Sequence, residues 1–269
     1  MEKQGRHLAR RLYDAEFDFN CFGREPLGTY MLATLPRSGS TYCAIKLWQT
    51  GLLGSPMEYL NFGVIADLYQ RLGYPISGDG GVLSGHVQSY WRSVKIIRTS
   101  LNGVFGWKMF TSNFLEISKK YPELLKEITP NYVLYLTRRD ELGQAFSYSR
   151  AMRSKTWFGG IANVSEVAYD FFHIKKCLRL IREQKRCWED IFDTVEIEPI
   201  RIFYEDLLSD AESFTGCILG RMGIKVDRTS RIDIPVTLRQ TDGISRIWRN
   251  RFAEDESHEA ISAEKKTPD

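Results

Sequence analysis

The run Pro36-Arg37-Ser38-Gly39-Ser40-Thr41 brings together a guanidinium, hydroxyls and a glycine in one short stretch. An arginine supplies a fixed positive charge, the hydroxyls of Ser38, Ser40 and Thr41 add donors, and Gly39 lets backbone N–H groups approach an anion closely. If a helix starts here, its unpaired N–H groups and the positive end of its dipole add to the same site. Such a run can hold a phosphate-sized anion. Other residues could join it. Lys108 and Arg138 each end a short apolar run. Glu58 sits among apolar and aromatic residues just past the anion stretch; read by itself it is a surface or capping glutamate.

The elements around these residues decide whether they meet. Residues 28–36 read as a buried strand, and about 39–51 as a helix ended by Gly51 and Gly54. Further strands are predicted at 104–109, 131–137 and 199–203, with helices at 64–72, 87–99, 112–127, 141–153 and 204–222. Asn163-Val164-Ser165-Glu166 has capping-box spacing and is expected to open a long helix to about Phe192. Its stripe of Val167, Phe171, Ile174, Leu178, Ile181, Trp188 and Phe192 is core-forming. Strands alternating with helices imply parallel βαβ units, and ligands gather at the carboxyl ends of such strands. Arg37, Lys108 and Arg138 all follow predicted strands directly, so they should converge on one edge of the sheet.

Composition narrows the class. The chain has 269 residues, 43% hydrophobic and 26% charged, which suits one large α/β domain or two small ones. A net charge of +3 argues against bulk nucleic-acid binding and fits a local basic site. No apolar run approaches a membrane span, and the stretch before Leu12 is polar and basic, without a secretory signal. Five cysteines without a Cys-x-x-Cys suggest reduced thiols and a cytoplasmic protein. Cys177 and Cys187, on one predicted helix, lie about 15 Å apart, too far to bridge. The four histidines are scattered, so no metal site is expected.

The domain expected from these signals spans 28–252, after a leader over 1–27 and before a charged tail, 253–269, expected to be disordered. The leader carries Phe17, Phe19 and Phe22, which could pack on the domain or contact a partner chain, a homodimer included. Residues 73–85 are rich in glycine and read as a surface or lid loop.

The anion run is shorter than G-x-x-x-x-G-K-[ST] and lacks its first glycine and its Gly-Lys pair, so an ordinary nucleotide triphosphatase is disfavoured. A strand–helix turn capped by serine is the bland alternative. The run x-P-[RK]-S-G-[ST]-T after a strand instead resembles the 5′-phosphosulfate loop of sulfotransferases that use 3′-phosphoadenylyl sulfate (PAPS). Arg138-Arg139-Asp140 through Gln144-Ala145, Ser147 and Arg150-Ala151 is similar to the bacterial Stf0 branch of that family. Pro56, Glu58 and Tyr59, then Gly106, Lys108 and Met109, then Trp157 and Tyr204-Glu205-Asp206-Leu207 continue the pattern in family order. Arg239, Gln240, Trp248, Arg251 and Phe252 close it.

This resemblance implies a three-layer, P-loop-like fold with a central, mostly parallel sheet flanked by helices. It implies sulfuryl transfer from PAPS to a small-molecule hydroxyl acceptor of carbohydrate or glycolipid type, without a metal. Pro36 through Thr41 would hold the 5′-phosphosulfate, and Arg138 with Ser147 the 3′-phosphate. Glu58 matches the family glutamate proposed as base, and an apolar neighbourhood would raise its pKa. Lys108 could neutralise the sulfonate or bridge phosphate, or be a strand-end surface lysine. Trp157 could stack on adenine, wall the acceptor pocket or belong to the core. Arg239 and Gln240 could close over the nucleotide or form a solvated turn. His86, beyond the glycine-rich loop, is the rival base. A PAPS-binding module without turnover and a P-loop kinase stay open as other classes.

Overall fold

The computed structural model describes residues 11–19, 25–78, 81–155, 157, 167–235 and 244–264. Its centre is a sheet of β1 (Gly28–Thr34), β2 (Val104–Phe110), β3 (Tyr132–Thr137) and β4 (Ile200–Phe203) in the order β2-β1-β3-β4. Every neighbouring pair is parallel. β1 and β2 are apolar almost throughout because both faces of a parallel sheet are covered by helices. Tyr30 reaches across to Gly106 of β2, and its hydroxyl donates to Leu53 O, in the segment after α1, at 2.9 Å. Its ring lies where a side chain at Gly106 would be: a Cβ there would meet ring atoms at 2.3 Å. Position 106 is glycine for that reason.

The helices that bear on the site are α1 (Ser40–Trp48), α2 (Ala66–Arg71), α3 (Val87–Arg98) and α4 (Thr111–Lys120). They continue with α5 (Glu141–Ser154), α6 (Phe171–Thr194), α7 (Tyr204–Ser209), α8 (Ala211–Arg221) and α9 (Ile244–Glu264). Aspartates set several starts. Asp140 accepts from Gly143 N–H, Asp170 from His173 N–H, and Asp210 from Glu212 and Ser213 N–H. Asp210 thereby splits the single helix expected over 204–222 into α7 and α8. α4 stops at Lys120, short of the predicted 127, because Pro122 restricts the residue before it. The capping box at 163–166 lies outside the described residues, and α6 itself opens at Phe171 under the Asp170 cap.

Two further expectations change. The tail is not disordered from 253: α9 runs through Glu264. Phe252 is buried with Trp248 against Phe146, Tyr169 accompanies them, and Asp255 accepts from the Tyr169 hydroxyl at 2.8 Å. Lys175 on α6 pairs with Glu259. The charged composition that suggested disorder is the solvent face of a docked helix. The leader is also committed, since residues 11–19 pack on the domain, with Leu12 and Tyr13 in the core. Cys43, Cys177, Cys187 and Cys217 are free thiols. Among the described residues, no helix is long and apolar enough to cross a membrane.

The docking of α9 makes a measurable claim. Phe252→Ala should lower the unfolding free energy in denaturant titration by about 3–5 kcal/mol, the cost of truncating a buried aromatic. An unattached tail would give no change.

Candidate active site

The anion run turns out of the carboxyl end of β1. Arg37 takes a positive φ of 62°, Gly39 one of 84°, and α1 begins at Ser40. Gly39 occupies the N-cap position and no side chain caps the helix, which rules out the serine-capped turn and leaves the first N–H groups facing outward. Glycine is required here twice over. The conformation is left-handed, and an added Cβ would lie 2.2 Å from the ring of Tyr204.

The hydroxyls divide their work. Ser38 is buried and donates to Leu35 O at 2.9 Å, with Thr34 Oγ1 2.7 Å away, so it braces the turn from inside rather than offering a donor. Thr41 Oγ1 accepts from Lys108 Nζ at 3.1 Å and keeps its own proton to donate. Gln144 on α5 donates to Pro36 O at 2.7 Å and Trp188 on α6 to Thr34 O at 3.0 Å, pinning both ends of the loop.

Arg37 turns toward α5. Its Nε donates to Ser147 Oγ at 2.9 Å and Nη1 to the Trp157 carbonyl. Ser147 thus pairs with Arg37. Burial, with Arg138 and Arg150 nearby, pushes the Arg37 guanidinium down to about 10, against a smaller opposing effect of Tyr204. Three arginines gather at the mouth of the loop, and an anion among them would offset their repulsion. Arg138 lies over the Tyr204 ring, 5.6 Å from its centroid, 3.4 Å from Asp140 and 3.9 Å from Glu205. Its Nε is buried without a hydrogen-bond partner.

Lys108 is no surface lysine. It is 2% exposed and pairs with Glu58 Oε1 at 2.8 Å. The chain beyond α1 returns along the free edge of β2, where Met57 bridges Trp107 and its carbonyl accepts from Lys108 N–H at 2.9 Å. That one backbone hydrogen bond sets Glu58 beside the Lys108 ammonium. Asn61 Nδ2 holds the other carboxylate oxygen at 2.7 Å. The surroundings of Glu58 therefore include an ion pair and an amide as well as the aromatic neighbours expected.

His86 is exposed at the start of α3 with its ring 6.1 Å from that of Tyr74. Ile76 and Val82 form a bridge in the glycine-rich loop before it. Trp157 is 44% exposed and lies against Tyr148, so it is not a core residue. Arg239 and Gln240 lie outside the described residues. Among those described, no three His, Cys, Asp or Glu residues cluster as metal ligands.

A model of the Stf0 sulphotransferase family matches residues 29–255. The chain belongs to the Stf0 sulphotransferase family. Its similarity to named members is distant: it is 24% identical to the trehalose 2-sulfotransferase of Mycolicibacterium smegmatis, over 86% of this chain and 97% of that one. The enzyme of the same name from Mycobacterium tuberculosis is also 24% identical, over 83% and 93%. Among solved structures, a retinol dehydratase complexed with androsterone and PAP is 16% identical, with a TM-score of 0.45, over 88% of this chain and 79% of that one.

Within this Stf0 chain the site includes residues that motif reading left without a role. Arg150 stands one helical turn beyond Ser147, a spacing that puts both on one face of α5. Glu205 accepts from the N–H groups of Arg139 and Asp140 at 3.1 and 3.3 Å, and Asp206 grips Arg139 at 2.6 and 2.9 Å. The Tyr-Glu-Asp segment is thus the lock between β4 and the Arg138 corner. Asp140 in turn accepts from Arg249 of α9. Burial opposes its charge, yet that arginine and the Gly143 N–H hold its carboxyl below the usual range.

The Lys108–Glu58 pair yields the next test. Lys108→Met should cost about 3–5 kcal/mol in denaturant unfolding, because it strands a buried carboxylate. Adding Glu58→Gln to the same chain should recover most of the loss. A single variant as stable as the wild type would show that the pair is not buried in solution.

Proposed function

We propose that this chain is a PAPS-dependent sulfotransferase acting on a hydroxyl of a small carbohydrate or glycolipid-type acceptor. The observation that carries the reading is the meeting, at the carboxyl ends of parallel strands, of a three-arginine cluster with the Lys108–Glu58 pair, joined through Thr41. One half is suited to a doubly anionic nucleotide, the other to proton removal beside a positive charge.

The residues fit such a co-substrate. The N–H groups opening α1 and the loop guanidinium, Arg37, suit the 5′-phosphosulfate. Arg138, whose Nε makes no hydrogen bond, and Arg150 suit the 3′-phosphate, and Ser147 stands between the two anion positions through its bond to Arg37. Trp157, half-exposed beside Tyr148, is the candidate surface for adenine, and Arg239 and Gln240 remain candidates to cover it. PAPS supplies an activated sulfuryl group on a phosphate leaving group.

In the reaction, the acceptor oxygen bonds to sulfur, the bond from sulfur to the 5′-phosphate oxygen breaks, and the phosphate leaves with that electron pair. Glu58 takes the acceptor hydroxyl proton. Its carboxylate oxygens each have a lone pair beyond those facing Lys108 and Asn61. Lys108 has three N–H donors, of which Thr41 and Glu58 engage two, leaving one for charge on the sulfonate or the departing oxygen. Catalysis then rests on positioning and on fixed positive charge, as in phosphoryl transfer. The activity on trehalose named for the relatives supports a carbohydrate hydroxyl as acceptor.

Calorimetry tests the donor side. Adenosine 3′,5′-bisphosphate should bind much more tightly than AMP, and Arg138→Ala should remove about 1.5–3 kcal/mol of that difference. Equal affinity for the two nucleotides would remove the PAPS reading. Turnover tests the base. Glu58→Gln should lower kcat by about 10²- to 10⁴-fold with nucleotide affinity little changed. Retained turnover in that variant, together with a dead His86→Ala, would move the base to His86.

A further inference from the structure

The leader touches Glu58. Tyr13 is buried, its ring stands edge-on to Tyr59 at 6.1 Å, and its hydroxyl accepts the Glu58 N–H at 3.1 Å. This N–H is otherwise left over by the edge pairing of the segment. The Met57 carbonyl serves Lys108 N–H, and the Tyr59 carbonyl accepts from Tyr90 at 3.0 Å. The Glu58 N–H turns the other way, toward the leader. A buried N–H without a partner is costly, so the phenol completes the account. Burial, with the Glu58 charge and Tyr59 adding to it, raises the Tyr13 pKa well above its ordinary value, and the group stays a neutral acceptor.

The leader is held firmly enough to act as a wall. Arg98, with no exposed surface, donates to the carbonyls of Leu12, Phe17 and Asp14 at 3.1, 3.3 and 3.3 Å, and pairs with Asp18 at 3.0 Å. Asp18 is also gripped by Arg71 at 2.7 and 3.0 Å. Phe19 N–H bonds Ile97 O at 2.8 Å, and Phe17 packs edge-on to Trp48. The leader segment 11–19 itself lies before residue 29, where the match to the family begins.

We propose that residues 11–19 form a built wall of the active site and that Tyr13 is a positioning residue for Glu58. Lys108 and Asn61 fix the carboxylate, while Tyr13 fixes the backbone that carries it. The proposal rests on Glu58 being the base in the reading above.

The test uses the full chain with Tyr13→Phe, alone and with Glu58→Gln. Hydrogen exchange reads the contact without any turnover. The Glu58 amide should exchange about tenfold faster or more in Tyr13→Phe, while amides of β1 keep their protection. With PAPS and trehalose as the probe pair, kcat should fall about 3- to 10-fold, the worth of one hydrogen bond, with the trehalose KM changed by less than about twofold. In the Glu58→Gln background Tyr13→Phe should have no further effect on kcat, since no base remains to be positioned. An unchanged Glu58 amide overturns the wall, and an equal kcat loss in both backgrounds overturns the positioning role. If the amide responds while the wild type binds no adenosine 3′,5′-bisphosphate and transfers nothing from PAPS, the wall stands and the functional reading falls.

Discussion

The Lys108 ammonium is the point through which the functional parts are tied. It sits at the end of the strand next to β1, and its donors run to Thr41 of the anion loop and to Glu58 of the edge segment. A buried charge is tolerated only when its partners are fixed. Loop, strand and edge segment therefore hold one another in a single arrangement. Glu58 is kept close to the loop by the same contact that neutralises Lys108. On separate, loosely joined elements, the proposed base and the proposed anion site would need another means of being brought together.

Around that pair the site is built largely from backbone geometry. Tyr204 fills the space above Gly39 and supports Arg138, so one ring shapes both the turn and the cation beside it. Glu205 closes the backbone of the Arg138 corner, and Gln144 closes that of Pro36. These residues give the arginines a rigid frame, and rigidity is what lets like charges stay near one another.

Much of this was legible in the residues. The alternation of apolar runs and helical patterns carries the parallel sheet, and the positions of Arg37, Lys108 and Arg138 at strand ends carry their convergence, because side chains at the ends of parallel strands share an edge. The partners of those residues were less legible. Ser147 joining Arg37 depends on the crossing of α5 over the loop, and the contact of Lys108 with Glu58 depends on a return along an edge that no local pattern encodes. The helical tail misled for a plain reason: a helix docked by Phe252 and a few polar contacts keeps most of its residues in water, and its composition is that of a disordered chain. Spacing alone also gave no reason to connect Tyr13 with a residue far along the sequence.

Arg98 grips the leader mainly by main-chain oxygens. Carbonyls are present whatever side chains a segment carries, so this mode of attachment asks for a path rather than for a sequence. The fixed demands on the leader are few: an apolar residue at Leu12, a phenol at Tyr13, rings at Phe17 and Phe19 and a carboxylate at Asp18. The remaining positions can drift without loosening the segment. Such a strap would look unrelated among proteins that wear it in the same place, and it would escape any comparison based on letters while remaining part of the working enzyme.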